Sequence, residues 1–208
     1  HRGQGLDDCD VSESECMRVY GKWWSTNATT PDLITRIVFR TGVVVWHKVV
    51  WRLMLLTGPT FFALRPRLWR GAAAVPLFKS GLPSENKSYR LIMVKCQMGL
   101  LQEALVFERI VAKVRATVTP GQSGYCRDVG DAHLLLHELM AEAIGLGKPL
   151  WVVFGDLEKA FPRTWRQLML HELSKSAGIR DGMLALLGSM LEHDQVHVHI
   201  SGNSIVIV

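Results

Sequence analysis

The period at which apolar positions recur changes along this chain and divides it into elements. Residues 1–30 have no period. They are polar, carry an acidic cluster at Asp7, Asp8, Asp10, Glu13 and Glu15, and are expected to be loosely ordered. Pro31-Asp32 opens a long apolar segment to about Leu56, closed by Gly58-Pro59, which predicts a helix although Val and Trp crowd its interior. From Arg70 onward short extended pieces take over. Residues 72–78 and 89–94 flank a stretch rich in Ser, Pro, Gly and Asn, a pattern that predicts a β-hairpin with a long loop. Between Gln97 and about Val118, Leu101, Leu105, Ile110 and Val114 return at helical spacing and leave Arg109, Lys113 and Arg115 on the other surface. That is an amphipathic helix with a basic side.

Pro120-Gly121 breaks this helix. Asp131 is the expected cap of the next one, which runs to about Ile144 and is ended by Gly145 and Gly147. Residues 149–156 lack polar alternation and predict a strand buried on both faces. Helices are expected over 164–177, with Gly178 just past the end, and over 181–192. Residues 195–200 and 204–208 form a closing hairpin through Gly202-Asn203. This order favours an α+β fold over a doubly wound sheet.

A chain of 208 residues, 48% hydrophobic, can bury a sizeable core. Its net charge of +5 hides an asymmetry: residues 1–64 carry +1, residues 65–127 carry +8 and residues 128–208 carry −4. The basic block attracts polyanions, and the acidic third is where cations collect. Cys9, Cys16, Cys96 and Cys126 have no CxxC spacing and follow no secretory signal, so reduced thiols in an intracellular compartment, nuclear or cytoplasmic, are expected. The apolar span 43–64 is interrupted by His47, Lys48 and Arg52, which argues against a membrane-spanning helix. The chain opens at His1 and stops within the apolar run Ile205-Val-Ile-Val208, as a piece of a longer reading frame would.

Candidate chemistry centres on Leu150-Trp-Val-Val-Phe154-Gly-Asp156-Leu-Glu-Lys159-Ala-Phe161. An apolar run that ends in one carboxylate would deliver Asp156 to the mouth of a cleft, where hard oxygen ligands hold divalent cations. This stretch resembles motif A of reverse transcriptases, especially those of non-LTR retrotransposons, with its F-x-D-x-x-K-A-F pattern. The resemblance continues collinearly over roughly two thirds of the chain. Pro66-Arg-Leu-Trp69-Arg70 and Val75-Pro-Leu-Phe-Lys79-Ser-Gly81 are similar to the P-x-x-W-R and V-P-L-x-K-x-G segments of the family's fingers. Tyr89-Arg90-Leu91-Ile92 is similar to Y-R-P-I, with Leu91 in place of the usual Pro. Gln122-Ser-Gly124-Tyr125 is similar to Q-S-G-F, and Asp131-Ala132 to the D-A before a helix.

The resemblance implies the fingers and first half of the palm of a right-hand polymerase. The polar, loosely ordered residues 1–30 and a helical N-terminal extension, 31–64, would precede the basic fingers, 65–148, and a partial palm with motif A, 149–208. The implied activity is RNA-directed DNA synthesis on an RNA template, a DNA primer and deoxynucleoside triphosphates. Asp156 and the Leu157 carbonyl would be ligands in a two-ion Mg²⁺ site, and Phe161 would lie beneath the sugar and exclude a 2′-hydroxyl. Lys79 and Arg90, on adjacent pieces of the basic hairpin, would meet the incoming triphosphate. Arg70, Gln122 and Arg127 would contact nucleic acid. The chain departs from the pattern at Cys126, where an Arg is usual, and at Pro162-Arg163. No Asp-Asp pair and no G-x-x-Q-G follow Asp156, so the chain by itself is expected to be inactive. The alternative is a non-catalytic nucleic-acid-binding remnant of a mobile element. His133 and His137, four apart on a helix, have the spacing of two metal ligands but lack a third, and His197 and His199 share a strand face without a partner.

Overall fold

A computed structural model describes residues 10–22, 43–58, 65–124, 128–157, 160, 163–192, 195–200 and 203–207. The fold is α+β, as expected. Helices α1 (Glu13–Lys22), α2 (Val43–Leu56) and α3 (Arg67–Arg70) precede strand β1 (Gly71–Phe78). A 3-10 turn, Asn86–Ser88, leads into β2 (Tyr89–Lys95). There follow α4 (Gln97–Thr117), α5 (Val129–Gly145), α6 (Arg166–Lys175), α7 (Asp181–Glu192), β3 (Gln195–Ile200) and β4 (Asn203–Ile207). No helix of the described residues is long and apolar enough to cross a membrane. The chain forms two compact units, one of residues 1–111 with 179–208 and one of residues 112–178.

The first unit has its core between α1, α2, the turn of α3 and the first half of α4, where Cys16, Val19, Tyr20, Val50, Met54, Trp69, Leu101 and Leu105 are buried together. The polar stretch expected to be loose therefore contains an ordered helix over 13–22. Cys16, Val19 and Tyr20 fall on one face at helical spacing, and the Ser12 Oγ accepts the Glu15 N–H at 3.1 Å, an N-terminal cap. Glu13 and Glu15 sit in the first turn, where the helix dipole favours acids. In α2 burial overrides the strand preference of Val and Trp: Val50, Met54 and Thr57 recur on a single buried face, and the Trp51 indole donates to the Val11 carbonyl at 2.8 Å. Of the tryptophans, Trp69 is buried and Trp46 is exposed; Trp23 and Trp24 lie outside the described residues. Met183, Leu186 and Met190 form the buried face of α7, and Ile179 just before the helix is buried as well.

The hairpin of β1 and β2 forms as the two extended pieces flanking a turn-rich stretch predict, in a register from Ala72↔Lys95 to Phe78↔Tyr89. It belongs to a larger sheet of order β2-β1-β3-β4, in which β1 and β3 are parallel and β3 and β4 form the expected closing hairpin. The β1–β3 ladder runs only from Gly71↔Gln195 to Ala74↔Val198. Pro76 explains where it stops. Antiparallel bonds fall on alternate pairs, and the Lys79 N–H donates to the Ser88 carbonyl at 2.7 Å. Position 76 is thereby on a non-bonded pair, with its nitrogen turned away from β2. A proline there has no N–H to give to a strand on the β3 side. The outer half of the hairpin consequently runs on as a two-stranded ribbon with both faces exposed.

In the second unit α5 is capped by Asp128, whose carboxylate accepts the Gly130 N–H at 2.9 Å; Asp131, the expected cap, lies in the first turn instead. An aspartate caps through the N–H two or three residues on, and only position 128 has extended backbone. The C-terminal end matches expectation. Gly147 is left-handed (φ 59°), and the N–H groups of Gly147 and Lys148 donate to the carbonyls of Ile144 and Ala143, a Schellman closure. Gly178, with φ 66°, stands likewise just past α6.

The strand expected over 149–156 is absent. Residues 151–157 have irregular backbone and pair with no described strand, and Trp151, Val153 and Phe154 are 89%, 93% and 84% exposed. The apolar run supplies the composition of a buried strand, but a strand exists only where another edge accepts its hydrogen bonds.

Candidate nucleotide-binding hairpin

The base of the hairpin is held by a buried polar network around Arg65, whose side chain is fully enclosed. Its guanidinium donates to Gln102 Oε1 at 3.1 Å, to the Trp69 carbonyl at 3.0 Å and to Glu103 Oε1 at 3.4 Å. Gln102 in turn donates to the Thr57 carbonyl at 2.7 Å, and Lys95 pairs with Glu103 at 2.8 Å. One planar cation thus ties the end of α2, the turn of α3, the end of β2 and the first half of α4. An arginine suits this place because its fork serves several acceptors at once. Gly99 lets α4 approach closely, since a Cβ there would lie 2.9 Å from the Trp69 carbonyl oxygen.

At the other end of the ribbon the loop 79–88 is closed by its own bonds. The Tyr89 hydroxyl donates to the Pro83 carbonyl at 2.9 Å, and its ring meets Phe78 edge-on at 5.6 Å. Gly81 has φ 98°, and a Cβ on it would come within 2.8 Å of Ser88 Oγ, so glycine is required on both counts. Side chains alternate across a ladder, which puts Lys79 on the face shared by Val75 and Leu77. Arg90, paired with Leu77, lies on that same face. Lys79 and Arg90 are therefore diagonal neighbours, about 7 Å apart by ladder geometry, and both are exposed. The structure brings together these two of the expected site residues.

Of the others, Arg70 belongs to the same unit, Gln122, Asp156 and Leu157 to the second unit, and the rest lie outside the described residues. Arg70 precedes β1, the length of the strand from Lys79, and its Nε donates to the Arg65 carbonyl at 3.1 Å. Gln122 is exposed in the second unit and donates to the Gly124 carbonyl at 3.2 Å. Arg127 and Phe161 lie outside the described residues. Asp156 and Leu157 are exposed in the irregular segment of the second unit. A single carboxylate with one backbone carbonyl is too small a donor set for two Mg²⁺ ions, and no group of three or more His, Cys, Asp or Glu able to hold a metal occurs among the described residues. The described residues do not fit the two-ion site. His133 and His137 are exposed on α5.

Part of the basic block is structural. Besides Arg65 and Lys95, Arg109 makes a two-pronged pair with Glu15 at 2.7 and 2.8 Å, and that guanidinium holds the Glu15 carboxyl below its ordinary range. Lys22 and Arg18 act on Glu108 in the same direction from 2.8 and 3.0 Å. The basic side of α4 is thus occupied at Arg109 by α1. Of the cysteines, Cys16 and Cys96 are buried, and burial pushes the Cys16 thiol up to about 11, which makes it inert. Reasoning from sequence missed Arg65. The readable hint was Gln102, a polar residue between Leu101 and Leu105 on the buried face of α4.

No protein-family model matches the chain, and no curated protein matches it.

Proposed function

We propose that this chain is the fingers and part of the palm of an RNA-directed DNA polymerase of the non-LTR retrotransposon type, and that its hairpin binds the triphosphate of an incoming deoxynucleotide. The observation that carries the proposal is the placement of Lys79 and Arg90 as exposed diagonal neighbours beside the Gly81 turn. Arg offers a forked donor to one phosphate and Lys a point charge to the next, and the rigid base around Arg65 fixes the ribbon that presents them. The chain's collinear resemblance to the fingers motifs supplies the substrate class. Nucleotidyl transfer itself needs more carboxylates than Asp156, so the activity belongs to the longer polymerase that the resemblance implies.

The exposed position of Asp156, with no metal-holding group of carboxylates among the described residues, favours a second reading, a non-catalytic nucleic-acid-binding remnant. Titration of the chain with a fluorescent deoxynucleoside triphosphate separates the two. On the first reading it binds, and the doubly substituted Lys79→Ala, Arg90→Ala chain binds about tenfold more weakly or worse, the loss of charged hydrogen bonds. Binding of RNA that weakens steeply with salt, with no affinity for the free triphosphate, supports the remnant instead. Equal triphosphate affinity in both chains sinks the assignment of Lys79 and Arg90.

A further inference from the structure

We propose that the free edge of β2 is a self-association surface, through which two copies of this chain pair antiparallel about a two-fold axis at Ile92. This goes beyond the polymerase reading and does not depend on it. β2 is the outer strand of the sheet. Because the pairs at Lys79–Ser88 and at alternate positions down the ladder are the bonded ones, Leu91 and Met93 turn their backbone N–H and C=O groups outward, while the Tyr89 N–H donates to the Asn86 carbonyl. Among the described residues nothing bonds to those groups at Leu91 or Met93. Natural edges carry a proline, a bulge or an inward charge against such pairing, and the central run Leu91-Ile-Met-Val94 carries none. Leu91 stands where the resembled pattern has Pro, at a position whose N–H points off the sheet.

The occupant follows from the sequence of β2. An antiparallel ladder joins outward residues to outward residues, and only centring on Ile92 pairs all seven residues of the strand. That register sets Leu91 against Met93, Ile92 against itself, Arg90 against Val94 and Tyr89 against Lys95 of the second copy. No like charges face each other, and each cation meets an apolar or aromatic side chain, so the strand is complementary to itself. The pairing also continues the exposed apolar strips of the ribbon across the axis: Val75, Leu77 and Ile92 on one face, Phe78, Leu91 and Met93 on the other.

Sedimentation equilibrium of the full chain under reducing conditions tests this. The expected result is a reversible dimer that Leu91→Pro dissociates, with a dissociation constant raised about tenfold or more. Position 91 faces Pro76 on a non-bonded pair, so the substitution removes only an outward donor and leaves the hairpin intact. Leu91→Val retains that donor and is expected to remain dimeric. Ile92→Lys sets two ammonium groups on the axis and is expected to be monomeric, which keeps the test decisive should Leu91→Pro fail to fold. Amide exchange at Met93 is expected to be slower in the wild-type chain than in Ile92→Lys. A wild-type chain that stays monomeric at every concentration, or association that survives both Leu91→Pro and Ile92→Lys, overturns the proposal.

Discussion

Two eight-residue apolar runs, 71–78 and 150–157, meet opposite fates in this chain. The first is Gly-Ala-Ala-Ala-Val-Pro-Leu-Phe, a poor strand former by intrinsic preference, and it is β1. The second is Leu-Trp-Val-Val-Phe-Gly-Asp-Leu, a good one, and it is irregular and exposed. What separates them is partners. β1 has β2 beside it through a closed loop, β3 on its other side, and the Arg65 network locking its base. Strand preference decides little here until an edge is available to receive it.

The largest effect is therefore expected where β1 is anchored. Arg65→Met keeps the volume but leaves the Gln102 Oε1 and the Trp69 carbonyl without their buried donor, at a cost of about 3 kcal/mol. Urea unfolding should show it as a lower midpoint at unchanged slope. A wild-type midpoint would mean that the network is not what distinguishes the two runs. A smaller loss, about 2 kcal/mol near neutral pH, is expected of Glu15→Gln, which removes the charge from the pair with Arg109 that pins α1. Because Arg109 lowers the folded-state pKa of Glu15 below its ordinary 4.5, the pair's stabilisation is present above that value and lost as pH falls through the folded one. Wild type should thus lose more stability than Glu15→Gln between neutral pH and acid. Parallel pH profiles would contradict this.

Gly81→Ala sharpens the contrast at the tip. A left-handed alanine with its Cβ against Ser88 Oγ is expected to destabilise by about 1 kcal/mol, read as a lower thermal midpoint. Adding Ser88→Ala should recover the part due to the contact and leave the part due to φ. Complete recovery would show that backbone strain contributes nothing there.

These contrasts also mark what was legible in the sequence. The β1–β2 hairpin, α4, α7 and the placement of Lys79 beside Arg90 follow from short extended pieces, helical period and turn residues, all of which act within a few positions. The sequence missed what depends on distant partners: the parallel pairing of β1 with β3, the burial of Arg65, and the absence of a strand at 149–156. Two misses were local. Three buried residues in ten are too sparse a stripe to announce α1, although Ser12 and Glu15 three apart were the available signal. Asp128 and Asp131 both suit a cap, and composition cannot choose between them.

The smallest expected effect tests the comparison most directly. If residues 150–157 make no partnered strand, their apolar side chains contribute almost nothing to folding. Val153→Ser, at a position 93% exposed, should then change the unfolding free energy by less than about 0.5 kcal/mol, as a surface substitution does. The same change at Ala74 in β1, 3% exposed, places a hydroxyl in the sheet's interior and should cost more. A loss of about 1.5 kcal/mol or more at Val153, the scale of uncovering a buried valine, would show that the run does find a covering partner. Asp156 would then be carried on a buried strand after all, which is the geometry that the resemblance to motif A implies.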